Sequence, residues 1–538
     1  MNWVRLIALS VSASLFFSCG QKLPVVTWTE GEPDGGNTVH CFTISPASAL
    51  GEDWEIWFSQ ITGNTDALEG SGALIEQVQG NAYRIYPNPE ATPGDTVKIL
   101  YRSIPLKRNC WAPEGFVLRN SKGQYPLEAR YNFLVTEEQL PEKTWRKPDF
   151  STPGHPLAYR GYMLDVSRNF TPKDEVIRLL DTLAAYRVNY FQFHFADDEG
   201  WRLEVEGIPE LTSVGAFHAL PTMGPDGKWQ ELTALQPSYD GCADRNDTRS
   251  LANGYYTKAE FIEIIQHAKE LGITVIPEID TPGHSRAAII SMEAYCRRTG
   301  DDSMRLRIDD DPSVYVTAQG YNDNILPVDR ESVYTFLYRV WDYVIDIYRE
   351  ADVPLPVIHI GGDEVPRGVW AWSDNPTAMR SYYIGRMADY AASRGVKIAG
   401  WQEIVQGLDE ESFAKLKEVL FGINCWKRVS TEMIADMRER GIPIIISDAK
   451  YTYADQAYSS AKTELGHSWA GYISPELTYE YTPDLGEGVL GIQVQFFAET
   501  LRNTSEIYYH TFPKMLGIFD LAWNGRYYYY DTDGNQRD

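Results

Sequence analysis

From Tyr159 onward the chain alternates short apolar runs with amphipathic stretches, and this alternation limits the fold more than any other feature. Candidate strands fall at residues 161–165, 190–195, 273–279, 357–361, 397–401, 419–423, 443–447 and 489–497. Helix-like stretches lie between them, among them 173–186, 258–271, 330–349 and 377–394. Strands buried on both faces read as near-continuous Val/Ile-rich runs, whereas each helix keeps one apolar stripe. Eight such runs with helices between them predict a parallel (β/α)8 barrel over residues 159–538 rather than an open sheet. Chemistry in such a barrel sits at the C-terminal ends of the strands, so polar and aromatic residues should collect just past each one.

They do collect there. The second run leads into His194-Phe-Ala-Asp-Asp-Glu-Gly-Trp-Arg202 and the third into Pro277-Glu-Ile-Asp-Thr-Pro-Gly-His284. The fifth ends in Trp401-Gln-Glu403, the sixth in Asn424-Cys-Trp426, and the eighth at Phe497-Ala-Glu499; the seventh leads to Tyr453-Ala-Asp455. The fourth is the most pointed: Val357-Ile-His-Ile-Gly-Gly-Asp-Glu-Val365 ends an apolar run in two glycines and two adjacent carboxylates. Neighbours in a regular strand face opposite ways, so Asp363 and Glu364 could not serve one ligand there. Glycine relaxes that limit by letting the backbone bend and approach a ligand closely.

Ahead of the barrel, residues 24–140 lack helical periodicity. Short alternating runs such as Trp54-Glu-Ile-Trp-Phe58 and Val97-Lys-Ile-Leu-Tyr101 are separated by Gly/Pro/Asn/Asp clusters, which predicts an all-β sandwich. A linker rich in Pro, Lys and Glu covers 141–158. Within the barrel region an insertion at 211–253, rich in Pro, Gly and Asp, is expected to shape the leaving-group side of a site. A formal net charge of −26 argues against nucleic acid or an anionic membrane surface as partner. Fifteen Trp and 34 Tyr make stacking on sugar rings plausible, although a large core also consumes aromatics. Cys41, Cys110, Cys242, Cys296 and Cys425 show no metal-ligand spacing; a Cys41–Cys110 disulfide and a set of buried thiols both remain open. No pair of histidines has ligand spacing either, so no metal is expected.

The first 19 residues read as a processing signal, with a weakly basic start, an apolar stretch at 6–17 and Ser18-Cys19 at its end. The stretch is too short to span a membrane. It resembles a bacterial lipoprotein signal, which would lipidate Cys19 and place the protein in the periplasm or on the outer membrane. An ordinary secretory signal is the alternative.

Residues from about 159 to 525 resemble the catalytic barrel of glycoside hydrolase family 20, the β-N-acetylhexosaminidases. The motifs are Arg160-Gly-Tyr-Met-Leu-Asp-Val-Ser-Arg168, the Asp197-Asp198-x-Gly-Trp201 loop, Pro277-Glu-Ile-Asp-x-Pro-Gly-His284, His359-x-Gly-Gly-Asp-Glu364 and Tyr453-x-Asp455. The sandwich region is similar to the N-terminal domain of bacterial chitobiases, through Trp54-Glu-Ile-Trp-Phe58 and Pro93-Gly-Asp95. The resemblance implies exo-acting hydrolysis of terminal β-linked GlcNAc or GalNAc from a glycan, with no cofactor. It implies that the substrate's own 2-acetamido oxygen is the nucleophile, with Glu364 as general acid and base. Asp363 would accept the acetamido N–H and Tyr453, or Tyr451 two residues earlier, would donate to the acetamido oxygen. Arg160 would grip sugar hydroxyls, with Asp455 and Glu499 on the outer ones, and Trp401 and Trp426 would wall the pocket. His284 with Asp197 or Asp198 would tune the acid. Strand eight ends in Phe497 where the family usually has Trp, which implies a smaller stacking face. Two other readings are a two-carboxylate mechanism using Asp448 or Glu403 as nucleophile, and a surface protein that binds glycans without cleaving them. Oligomeric state is not legible.

Overall fold

The computed structural model describes residues 23–525 except 62–65, 68–71, 92–93, 141–147, 149, 152–154, 221–234 and 236–249, together with 529–530 and 536–537. The signal segment, Cys19, Cys242, most of the 141–158 linker and most of the 211–253 insertion lie outside the described residues.

Two antiparallel-rich sheets form the N-terminal part. One places Ala129–Asn132, Val25–Thr29, Asn37–Ser45, Val97–Ser103 and Asp66–Ala67 side by side, with Pro33–Asp34 against Asn37–Ser45. The other runs Gly123–Pro126, Glu114–Asn120, Glu55–Ser59, Ala82–Pro87, Ala73–Gln79. Period-two alternation decides what each strand buries. In Asn37–Ser45 it is Thr38, His40, Phe42 and Ile44 that turn inward. Phe42 meets Phe58 of the facing sheet at 5.3 Å, and Phe58 meets Phe116 at 5.5 Å, so an aromatic core joins the layers.

The barrel strands are β1 Tyr159–Asp165, β2 Tyr190–Asp197, β3 Thr274–Ile279, β4 Val357–His359, β5 Lys397–Trp401, β6 Leu420–Cys425, β7 Ile444–Ile446 and β8 Val489–Phe496. Each pairs in parallel with its neighbours, and β1 pairs with both β2 and β8, which closes the sheet. The fold is therefore a (β/α)8 barrel preceded by a smaller β domain. Long amphipathic helices cover it: in Glu331–Glu350 the buried set Val333, Phe336, Leu337, Val340, Trp341, Val344 and Ile347 follows helical spacing.

Inward-facing side chains stack in layers. Tyr159, Ile276, Val357, Ala399 and Ile445 make an apolar plug at the N-terminal end. One step higher the filling turns polar: the Gln493 amide donates to Gln192 Oε1 (2.9 Å), and Gln192 donates to Glu278 Oε2 (2.7 Å). Glu278 also accepts from the Trp401 indole (3.0 Å) and lies 2.9 Å from His359 Nδ1. His359 thus supports the barrel interior.

The two parts are firmly docked. Arg108, almost wholly buried, donates to the carbonyls of Ser459 (2.6 Å), Ala461 (3.1 Å) and Glu464 (3.4 Å) in the segment after β7. Trp111 donates to Gly466 O at 3.2 Å. The described start of the 211–253 insertion also faces the β domain, with Leu220 against Trp57 and Val117. Cys41, Cys110, Cys296 and Cys425 are free thiols, so Cys41 and Cys110 are not bridged. Among the described residues no helix is long and apolar enough to cross a membrane. Arg108→Ala would leave buried carbonyls unpaired and should cost roughly 3 kcal/mol. A clear fall in the urea unfolding midpoint is expected; an unchanged midpoint would contradict this account of the interface.

Candidate active site

The turn after β4 sets the site. Gly361 and Gly362 both lie at positive φ (68° and 97°). A Cβ on Gly361 would stand 1.7 Å from Asp280 Oδ1, and the Gly362 N–H donates to that same oxygen at 3.0 Å. Only glycine fits so close to the carboxylate. The backbone therefore leaves the strand in a tight bend, Glu364 itself takes φ 48°, and both acids come to line one cavity of about 430 Å³. That size suits a small ligand held largely inside the protein.

Behind the acids lies a buried charge network. Asp197 is bound by Arg168 Nη2 (2.7 Å), His194 Nε2 (2.9 Å) and His284 Nδ1 (3.0 Å). Arg168 also meets Glu199 (3.0 Å) and Asp165 (3.3 Å). The other nitrogen of His284 faces the acids, 3.6 Å from Glu364 Oε2 and 3.9 Å from Asp363 Oδ2. Burial alone would lower His284, but Asp197, Asp198 and Glu364 raise it well above 6.5. Burial alone would raise Glu364, but His284 and the Gln319 amide at 3.2 Å hold it below its ordinary value. Asp363 moves up: burial outweighs the pull of His284, and the charge of Glu364 adds to it. The proton of this group therefore resides on His284, next to Glu364.

Three buried acceptors of the lining have no hydrogen-bond partner: Asp363 Oδ1, Gln319 Oε1 and Glu499 Oε2, the last 3.8 Å from His467 Nε2. Against burial, His467 and Arg168 hold Glu499 down at about 2, so it is ionised. Trp401, Trp426, Tyr453 and Phe497 form aromatic walls, with Tyr453 5.3 Å from Phe497 and Trp401 6.2 Å from it. Burial raises Tyr453 well above 10, so its hydroxyl keeps a proton to donate. Tyr451 instead stacks on Tyr481 at 4.0 Å and is not part of the lining.

Two expected site residues stand elsewhere. Arg160 is at the N-terminal end of β1 and points outward, donating to the carbonyls of Arg187 and Leu157 (both 2.6 Å) across the Trp523 ring. The cavity arginine is Arg168, eight residues on and beyond the C-terminal end of the strand. Asp455 sits one layer behind the lining, accepting from the Gln456 amide (2.8 Å) and reaching the Phe497 N–H at 3.5 Å; burial raises it to about 6. Asp197, His284, Asp363, Glu364, Trp401, Trp426, Tyr453, Phe497 and Glu499 do line the cavity. So do residues the sequence pattern did not single out, including Gln319, Lys427, His467 and Trp469. These four sit on irregular segments or just past a strand, where periodicity carries no signal.

Among the described residues, three groupings bring His and carboxylate atoms within 4.8 Å of one another: His194 with Glu278 and Asp280, His284 with Asp197 and Asp198, and His284 with Asp280 and Asp363. Flanking carboxylates raise both His194 and His284 well above 6.5, against burial. In this state the groupings pair imidazolium rings with carboxylates.

The model of the catalytic domain of glycosyl hydrolase family 20 matches residues 157–526. The chain is 31% identical over 489 residues to beta-hexosaminidase B of Pseudoalteromonas piscicida, an alignment covering 82% of this chain and 59% of that protein. It is 33% identical over 380 residues to a beta-hexosaminidase of Vibrio furnissii, covering 67% and 56%. The chain thus spans somewhat over half the length of these relatives. A solved exo beta-N-acetylglucosaminidase of Vibrio harveyi, in complex with N-acetylglucosamine, superposes with a TM-score of 0.75 at 20% identity, over 95% of this chain and 96% of that one. It shares the fold.

The raised His284 value gives a direct test. Its contribution to stability is complete below the unfolded-state value of about 6.5 and is lost as the pH rises through the folded-state value. Nitrogen NMR of labelled histidine should find His284 still protonated above pH 6.5, and Asp197→Asn should move its midpoint down by about one unit or more. A wild-type midpoint at or below 6.5 would contradict the network as described.

Proposed function

The chain belongs to glycosyl hydrolase family 20, and on that footing we propose that it is an exo-acting β-N-acetylhexosaminidase that removes terminal β-linked GlcNAc or GalNAc with retention. The observation that carries this reading is a set of buried acceptors without a hydrogen-bond donor, Asp363 Oδ1, Gln319 Oε1 and Glu499 Oε2, lining one cavity with Glu364. A buried acceptor without a donor is costly, and a ligand bearing an amide N–H and hydroxyls would relieve them.

The chemistry follows from that arrangement. Glu364 gives its proton to the glycosidic oxygen as the bond to the anomeric carbon breaks, and the substrate's acetamido oxygen attacks that carbon. Asp363 accepts the acetamido N–H, orienting the group and offsetting the positive charge of the resulting oxazolinium ring. Tyr453 donates to the acetamido oxygen. Water then attacks the anomeric carbon, Glu364 takes its proton, and the ring opens to the β-configured product. Substrate binding covers Glu364 and disfavours its charge, which draws the proton over from His284. Arg168 and Glu499 take outer hydroxyls, and Trp401, Trp426 and Phe497 enclose the ring.

Neither acid expected to serve a two-carboxylate route stands in the cavity wall. Glu403 accepts from the Trp426 indole (3.2 Å), Asp448 caps the short helix Ala449–Thr452, and neither lines the cavity. Export is part of the proposal, with Cys19 as lipid anchor and sole membrane attachment; the apolar 6–17 stretch ending in Ser18-Cys19 supports it.

Wild-type protein should cleave aryl N-acetyl-β-glucosaminides or galactosaminides and be inhibited by a thiazoline mimic of the oxazolinium ring. Glu364→Gln should lower kcat by about 10²–10⁴ and Asp363→Asn by about 10²–10³. Efficient turnover of the 2-hydroxy analogue, or capture of a covalent glycosyl-enzyme, would refute substrate assistance. No turnover on any acetamido sugar, with binding retained, would favour a glycan-binding protein. Labelled palmitate should enter the wild type and not Cys19→Ser; equal labelling would reject the anchor.

A further inference from the structure

The cavity wall is not built by the barrel alone. Ile61 and Asn81, both from the N-terminal β domain, stand among its lining residues. They are held together, since the Gln60 N–H donates to the Asn81 carbonyl at 3.0 Å. Asn81 belongs to the tight turn between strands Ala73–Gln79 and Ala82–Pro87, and the Gln77 amide donates to Gly80 O (2.7 Å) inside that turn.

This turn is fitted to one barrel loop. Gly80 lies at φ 53°, and a Cβ on it would fall 2.7 Å from the Tyr321 ring. Opposite it stands Gly320 at φ 83°, whose Cβ would fall 3.3 Å from Gly80 Cα. Two backbones thus meet where neither tolerates a side chain freely. Beside them Gln79 spans two partners: its amide donates to Asp323 Oδ1 (2.6 Å), and its oxygen accepts from Arg286 Nη2 (3.0 Å). Arg286 closes the triangle on Asp323 at 3.0 Å. The same barrel loop carries Gln319, whose amide reaches Glu364 Oε2 at 3.2 Å.

We propose that Ile61 and Asn81 of the β domain form the leaving-group subsite of the cavity and select substrates whose leaving group is itself a sugar. The inference rests on the assignment of Glu364 as proton donor. A proton donor stands beside the leaving oxygen, so groups adjoining it across Gln319 face the departing half of the substrate. Asn81 offers both an amide donor and an acceptor for saccharide hydroxyls, and Ile61 offers an apolar face for ring C–H groups. A small alkyl leaving group would reach neither.

The test compares kcat/KM for the β1,4-linked disaccharide of N-acetylglucosamine with that for methyl N-acetyl-β-glucosaminide, using the full chain. In Asn81→Ala and Ile61→Ala the disaccharide-to-methyl ratio should fall at least fivefold from the wild-type value. Asn81→Trp, which narrows the same side, should lower it further. Thermal unfolding and the inhibition constant of free N-acetylglucosamine report whether the variants keep their fold and sugar pocket. A ratio unchanged in all three folded variants, or an equal loss on both substrates, would overturn the subsite. Absence of wild-type turnover on both glycosides would instead overturn the assigned reaction, and the subsite with it.

Discussion

Asp197 is the residue on which the upper barrel closes. Its carboxylate, almost fully buried, binds Arg168 from the loop after β1, His194 within β2 and His284 from the loop after β3. An isolated charge at that depth would not persist. Burial would raise Asp197, yet its three partners drive it well below its ordinary value. Through His284 the same contact extends to Glu364 and Asp363 after β4. Four strand ends are thereby referenced to one carboxylate. The tight turn at Gly361-Gly362 can then hold two neighbouring acids in place without a helix or sheet of its own.

The burial of the acids around that contact bears on the proposed reaction. Burial raises Asp165, Asp198 and Asp363 even though Arg168, His194 and His284 pull the other way. A buried site of this kind disfavours its own negative charge. In the proposed reaction a neutral sugar does little to relieve it, whereas the positive oxazolinium ring would relieve it directly at Asp363. The arrangement would then bind the charged intermediate, and the transition state leading to it, better than the ground state. That difference is what accelerates a reaction.

The strands and their ends were legible in the sequence because parallel barrel strands are buried on both faces and their functional residues follow immediately. The Asp363–Glu364 pair was legible for the same reason. Arg160 shows where motif reading slips. Two arginines bracket one motif, and the choice depends on which end of β1 each occupies. Tyr159 points into the barrel, so Arg160 must point out, while Arg168 lies past the strand's upper end. Period-two alternation contained that answer. Gln319, His467 and Trp469 carried no such signal, since no repeating pattern fixes where an irregular segment docks. Ile61 and Asn81 were less accessible still. Their place depends on how one domain packs against another.

That packing explains how a rigid barrel can hold long loops in order. Ordering an irregular segment costs on the order of 1–2 kcal/mol per residue in backbone entropy, and barrel strands supply little to offset it. Here the β domain supplies it. Arg108 and Trp111 anchor the carbonyls of Ser459, Ala461, Glu464 and Gly466, next to His467 and Trp469 at the cavity. The Gln79–Gly80 turn anchors Tyr321 and Asp323, next to Gln319. Proton transfer in the proposed reaction therefore depends on groups fixed by the barrel's buried charges, while the shape of the cavity mouth depends on an interdomain contact. Mutations in the β domain can reshape the mouth and leave the Asp197 network intact, so selectivity and chemistry can change separately in this architecture.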